Sequence, residues 1–339
     1  MSAFKGIKSA SSTHVGGGAS GQPLLNQDKS LCVTLPEGIV LYAVFDGHGK
    51  NGHIIAENAS KMTLDYLSEN IENLRTHPKE TLNNLIKELH SSSPPLGGGT
   101  SATIAVIIED IIHIVNVGDS TAYLVSPLGD LSTDLYIDHQ DISGKPVNEV
   151  ESPSCMQITN DHSPNDLCEF QLSLIRNENL SDVKKIEHVF DTHSKSGVLK
   201  PPIFKPLVLS PKINKNLYYK NVSGDLATLV QNKDRARLAY TRSIGDQGLD
   251  LERSPTYSAI RLIPGMCLIM ASDGLWDNTV VEGGGANKFN FVEFIIQHLS
   301  SPEPDAGKLA QSIIDENENY ALRNFGRSRD NVVCVIALI

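Results

Sequence analysis

Apolar positions change period several times along the chain, and each change predicts an element. SLCVTL (30–35) and EGIVLYAVF (37–45) are apolar, β-branched runs parted at Pro36, and they predict an antiparallel hairpin. From Gly52 the period lengthens. Ile55, Ala59, Met62, Tyr66, Leu67 and Ile71 recur at three- and four-residue intervals, the stripe of an amphipathic helix. A second helix fits TLNNLIKELH at 81–90, and both helices stop at breaks rich in Pro or Ser. GGGTSATIAVIIEDIIHIVNVGDSTAYLVS (97–126) predicts two or three strands, broken at Glu109-Asp110 and Gly118-Asp119. Order returns with RLAYTRSIGD (237–246) and MCLIMASDGLWDN (266–278), helical stretches at 289–299 and 306–323, and a closing strand, NVVCVIALI.

Strands in antiparallel-looking pairs, with helices grouped after the first pair and near the end, predict an α+β fold of packed sheets covered by helices. A doubly wound parallel sheet would need regular strand–helix alternation. Residues 1–22, rich in Ser and Gly over 11–22, read as a flexible N-terminal arm, and 23–339 as one domain. Between about 163 and 237 the pattern weakens into polar, proline-punctuated sequence, including KPPIFKP, which reads as a surface insertion or flap.

Composition narrows the function. The 339 residues carry a formal net charge of −11, which opposes general attraction to nucleic acid or anionic lipid. Five scattered cysteines without CxxC spacing argue against a disulfide framework and a zinc site, and for a reducing compartment, cytoplasmic or nuclear. No apolar stretch has the length of a signal peptide or membrane span, and Ser2 breaks the N-myristoylation pattern. The run Gly97–Gly99 is followed by a strand and by no lysine, so it lacks the mechanism of a P-loop and reads as close packing.

Candidate chemistry lies where apolar strands end. LYAVF stops at Asp46, CLIMAS at Asp273, and Asp330 stands just before the closing strand. Carboxylates gathered on one rim without arginines repel one another, and a divalent cation supplies the missing charge. An all-oxygen ligand set suits magnesium or manganese. Asp273 and Asp277 are four apart, so one helical turn puts both on the same side.

VFDGHGKNG, GGGTSATIAV, VNVGDSTAYLV, ITNDHSP, LAYTRSIGD, ASDGLWD and SRDNVVCVIAL, in that order, resemble the motif series of the metal-dependent Ser/Thr protein phosphatases of the 2C type, from about Asn26 to the last residue. The resemblance implies a four-layer α-β-β-α sandwich of two antiparallel sheets flanked by helices. It implies two divalent ions, Mn2+ or Mg2+, bridged by Asp46 and held by the Gly47 carbonyl, Asp273 and Asp330, with Asp28 at an early acidic motif. A third, weaker ion would use Asp161 and Asp277 beside Asp273. His48 falls at the position of a general acid, whereas Asp119 and Asp246 look like turn-closing acids that could bond backbone or Arg242. Phosphorylated proteins would be the substrates, met by a monomer.

Two departures stand out. The early motif carries Gln27-Asp28 where the family has Glu-Asp, and Pro23, beside Gln22, stands where an arginine commonly grips the substrate phosphate. Lys50, just after the DGHG turn, is the candidate cation left to that task. Two rival readings follow: a phosphatase-like protein that binds a partner without catalysis, which predicts a missing rim acid, and a two-metal nuclease, which predicts a basic track.

Overall fold

The computed structural model describes residues 6–18, 20, 22–145, 150–179, 186–190, 204–206, 218–220, 227–231 and 236–339. Most of the expected 163–237 insertion, with residues 200–203 of KPPIFKP, lies outside them. The elements that frame the site follow in chain order. Strands β1 (Lys8–His14), β2 (Lys29–Thr34), β3 (Val40–Phe45) and the two-residue β4 (Gly47–His48) lead into helices α1 (Gly52–Glu69), α2 (Ile71–Thr76) and α3 (Pro78–Ser91). Next come β5 (Gly99–Thr100), β6 (Ala102–Ile108), β7 (Ile111–Val117), β8 (Thr121–Val125), β9 (Tyr136–Gln140), β10 (Val150–Ser152), β11 (Cys155–Gln157) and helix α4 (Leu167–Asn177). The chain closes with β12 (Ile244–Gly245), β13 (Thr256–Arg261), β14 (Cys267–Ala271), α5 (Asp273–Trp276), α6 (Phe291–Leu299), α7 (Ala306–Phe325) and β15 (Val332–Leu338).

Two six-stranded sheets carry the architecture. One has the order β1-β15-β14-β8-β11-β10 and the other β2-β3-β6-β7-β13-β9, and neighbours in both run antiparallel. Between them lies an apolar layer in which Tyr42, Val44, Ala105 and Ile114 meet Leu124, Leu268, Met270 and Val335. Alternate residues of the same strands point outward to the helices. Leu41, Ala43 and Phe45 pack on Ala56, Leu67, Leu82 and Leu85 of α1 and α3, while Ile269, Cys334 and Ile336 pack on Ile295, Leu309 and Ile313 of α6 and α7. Both faces of both sheets are thus buried, which explains runs such as LYAVF that are apolar without alternation. The expected α-β-β-α sandwich is the observed fold.

The helix stripe predicted from Ile55 to Ile71 breaks once, at Asn70, whose amide side chain donates to Tyr66 O and whose backbone leaves helical geometry between α1 and α2. The segment expected to be a flexible arm needs correction. Lys8–His14 is a strand, paired residue for residue with β15 from Lys8↔Leu338 to His14↔Val332. Its ordering comes from backbone bonds to β15, since its Ser-rich side chains bury little apolar surface. The five cysteines are all free, and burial pushes the Cys267 thiol up to about 12. Among the described residues, no helix is long and apolar enough to cross a membrane.

Candidate metal centre

Strand register brings the acids together. Lys29 pairs with Phe45, so Asp28, just before β2, lies beside Asp46, just after β3. Ala271 pairs with both Thr121 and Cys334, so the end of β14, which carries Asp273, adjoins the starts of β8 and β15, which carry Asp119 and Asp330. The two sheets are stacked, and these strand ends form one rim.

The Asp46 carboxyl is in hydrogen-bond contact with those of both Asp28 and Asp273. Its backbone is pinned by Ser101 at both of its polar groups: Ser101 Oγ accepts from Asp46 N at 3.2 Å, and Ser101 N donates to Asp46 O at 2.8 Å. Asp28 is buried and accepts from Ser272 Oγ at 2.9 Å. Gly47 cannot carry a side chain, because a Cβ there would stand 2.6 Å from the Gly52 carbonyl and 2.7 Å from Gln27 O. Gly49 follows at φ 78°, the left-handed bend that turns the chain into α1. Gln27, at the position of the expected carboxylate, accepts from His53 N at 3.2 Å and so caps the first turn of α1.

Burial raises the Asp46 carboxyl well above the carboxylate range, and the charges of Asp28, Asp273, Asp119 and Asp330 add to the effect. Asp273 is raised for the same reasons, and burial pushes Asp28 up to about 7 against its bond from Ser272. Asp330 and Asp277 stand at the exposed edge of the rim. Among the described residues, none of these acids forms an ion pair with lysine or arginine; Lys29, next to Asp28, pairs with Glu57 at 3.0 Å, and Arg329, next to Asp330, pairs with Glu318. A set of oxygen donors crowded together without a counter-charge is matched by hard divalent cations.

The predicted third group is only partly assembled. Asp273 and Asp277 share one turn, with Asp277 N donating to Asp273 O at 3.0 Å. Asp161 is held from Thr121 Oγ1 at 2.8 Å and Gln157 Nε2 at 3.1 Å, and burial pushes it up to about 6. What links it to the rim is Asp119, which feels the charges of Asp46, Asp161, Asp273 and Asp277. Asp119, expected to close a turn, does accept from its own backbone, and it is also a further acid of the cluster. The sequence signal was present, because VNVGD ends an apolar strand at an aspartate as LYAVFD does.

Arg242 bonds neither Asp119 nor Asp246. Fully enclosed, it donates to Asp141 Oδ1 (2.9 Å), to Ser254 O (2.8 Å) and to both carboxyl oxygens of Glu169. Asp141, Glu169 and His162 are spaced as metal ligands could be, but the guanidinium already supplies the positive charge. Both His162 nitrogens are also committed, to Gly118 N and Thr256 Oγ1. That trio is structural.

Asp246 is the partner of His48, at 2.7 Å from Nε2 to Oδ2. Burial opposes ionisation of Asp246, but its bonds with His48, Ser243 and Tyr240 outweigh it and hold the carboxyl below its usual range. Pro23, at the missing arginine, pairs with Gly17; Gly17 also pairs with Arg329, whose guanidinium is tied to Glu318 through Nε at 2.8 Å. Lys50 is exposed and forms no ion pair with a described residue.

Residues 15–152 match the model of the family described as protein phosphatase 2C. Over 264 residues, 74% of the chain, the sequence is 24% identical to the probable protein phosphatase 2C 35 of Arabidopsis thaliana, and the match spans 64% of that relative's length. The fold is similar to that of the serine-threonine phosphatase 2C from Toxoplasma gondii, with a TM-score of 0.62 at 16% identity, covering 99% of this chain and 95% of that one. It is also similar to a C. elegans sex determining protein, with a TM-score of 0.56 at 17% identity, covering 98% of this chain and 65% of that one.

Proposed function

We propose that the chain is a member of the protein phosphatase 2C family, whose model matches residues 15–152, and that it hydrolyses phosphoserine and phosphothreonine in proteins with the help of divalent ions held at the acidic rim. The observation that carries this reading is the contact of Asp46 with Asp28 and Asp273 at the meeting point of the two sheets, without a cationic partner. Asp46, Asp273, Asp330 and the Gly47 carbonyl would hold two ions, with Asp28 behind them; Asp119, Asp161 and Asp277 would serve a weaker third. Bound there, Mn2+ or Mg2+ supplies an acidified water as nucleophile and offsets charge on the phosphoryl oxygens.

The chain's own groups do the rest. Ser101 and the close fit of Gly47 against Gly52 fix the backbone of Asp46, so its carboxyl would need little reorganisation to hold an ion. His48, two residues on, holds the proton that the departing serine or threonine oxygen requires. With proline at position 23, the phosphate's protein-borne cation is Lys50, and substrate binding is weaker than an arginine would give.

The test is hydrolysis of a phosphothreonine peptide with Mn2+, abolished by chelation and by Asp46→Asn or Asp273→Asn. His48→Gln should slow the peptide far more than an aryl phosphate, whose leaving group needs no proton. Peptide binding without turnover in either metal would instead establish the partner-binding reading.

A further inference from the structure

His48 is held by a residue 198 positions away, and the surrounding structure is built to hold it. The small sheet β12-β5-β4 sets His48 opposite Gly99 and Gly99 opposite Gly245, which delivers Asp246 to the imidazole. Asp246 Oδ2 takes Ser243 Oγ at 2.7 Å and Tyr240 Oη at 3.1 Å besides His48 Nε2, and the Tyr240 ring lies on the imidazole at a centroid distance of 4.1 Å. Asp246 is 8% exposed and adopts φ 45°, a left-handed conformation unusual for a residue with a side chain. Its backbone is clamped by Gly98 O at 2.9 Å and by Arg253, which donates to Asp246 O at 3.0 Å, Leu249 O at 2.9 Å and Ser243 O at 2.8 Å.

This arrangement decides which imidazole nitrogen faces substrate. An ionised carboxylate only accepts, so Nε2 must be the donor in the bond to Asp246. Gly99 closes that edge of the ring: a Cβ there would lie 2.6 Å from Nε2 and 2.5 Å from Asp246 Oδ2. No described residue bonds Nδ1, and the side chain is 24% exposed.

We propose that Asp246 is a positioning residue, which holds the His48 ring through Nε2 so that Nδ1 is the atom that passes a proton to the departing serine or threonine oxygen. As a water oxygen bonds to phosphorus, the bond from phosphorus to the serine or threonine oxygen breaks and the doubly protonated ring gives that oxygen its Nδ1–H proton, which leaves a neutral imidazole still protonated at Nε2. This rests on the phosphatase reading for its chemistry, but the His48–Asp246 coupling stands on geometry alone.

The experiment compares wild type, Asp246→Asn, His48→Gln and the double variant, with Mn2+, on a phosphothreonine peptide and on 4-nitrophenyl phosphate. Asp246→Asn should lower kcat on the peptide by about 10- to 100-fold and on the aryl phosphate by no more than about threefold, and it should add no loss to His48→Gln. Ser243→Ala, which loosens Asp246 without removing it, should lower peptide turnover alone by roughly fivefold, the worth of one hydrogen bond. It serves if Asp246→Asn does not fold. Equal losses on the two substrates, or losses that multiply with those of His48→Gln, would overturn the proposal. Nitrogen-15 spectra of the histidines, recorded at a pH where the ring is neutral, read the coupling without activity: a single Nε2–H tautomer for neutral His48 is expected in wild type, and a mixture in Asp246→Asn or Ser243→Ala. Should wild type hydrolyse neither substrate, the phosphatase reading fails, and these spectra decide the coupling; an Nδ1–H tautomer, or no change in the variants, overturns it.

Discussion

Arg242→Met tests how much of the framework behind the site hangs on one buried cation. The guanidinium has no solvent exposure, and its partners Asp141 and Glu169 have side-chain exposures of 0% and 3%. Methionine fills a similar volume but leaves both carboxylates enclosed without counter-charge. Removing one partner of a buried pair costs about 3–5 kcal/mol. Two pairs share this guanidinium, yet the carboxylates keep neutral donors, Thr241 Oγ1 at 2.6 Å to Glu169 and Asn160 Nδ2 at 3.1 Å to Asp141, and protonation limits the penalty. A loss of about 4 kcal/mol is therefore expected, a large share of the 5–15 kcal/mol that holds a typical domain. With a urea m-value of about 3 kcal/mol per M, the midpoint should fall by about 1.3 M. Trp276, the chain's one tryptophan, provides the fluorescence signal. Adding Glu169→Gln and Asp141→Asn should restore more than half of the loss, because the unpaired charges are then gone. A midpoint shift below about 0.3 M, under 1 kcal/mol on the same m-value, or a further loss in the triple variant, would refute the argument.

Other expectations concern the rim and its supports. Asp46→Asn should abolish turnover while raising the melting temperature of the chelated protein, by about 2 °C for each kcal/mol of repulsion relieved; calorimetry with chelator checks this, and a lowered melting point counts against the crowded-acid picture. Gly99→Ala should cut phosphopeptide turnover at least tenfold, an order of magnitude within the range of proton-transfer catalysis, because its methyl would intrude between His48 and Asp246. Asp141 sets an acid limit on stability. Although burial opposes ionisation, the Arg242 charge together with the hydrogen bonds from Ser143 and Asn160 outweighs it and depresses the folded-state carboxyl below its usual range, so its contribution is complete above the unfolded value of about 4 and is lost as pH falls below it. Urea midpoints at pH 6 and pH 3 should therefore converge in Asp141→Asn relative to wild type.

The sequence exposed the rim because strands buried on both faces are uninterrupted apolar runs, and the first aspartate after such a run must lie at an edge of the sheet. Asp46 and Asp273 were legible on that basis and Asp28 only through the resemblance to the family's motif series, and by the same rule Asp119 should have been. The link from Asp246 to His48 was not legible, since two glycine-lined strand pairings create it and no spacing within either motif encodes a contact across 198 residues. Arg242 was visible as a lone cation in LAYTRSIGD, but its acids come from Asp141, which precedes β10, and Glu169 in α4, segments with no periodic signal joining them to it. β1 was invisible for a different reason: KSASSTH has no hydrophobic period, and only its partner strand defines it as a strand.

That first strand has a consequence for handling the protein. β15 reads VVCVIAL, nearly all buried, and β1 covers the whole of its outer edge. Proteolysis or truncation that removed residues 8–14 would expose seven consecutive residues of flat, uncharged backbone, an invitation to edge-to-edge stacking between molecules. The polar, lysine-bearing strand thus acts as a solubility guard, and its loss would show first as turbidity and only later as lost activity.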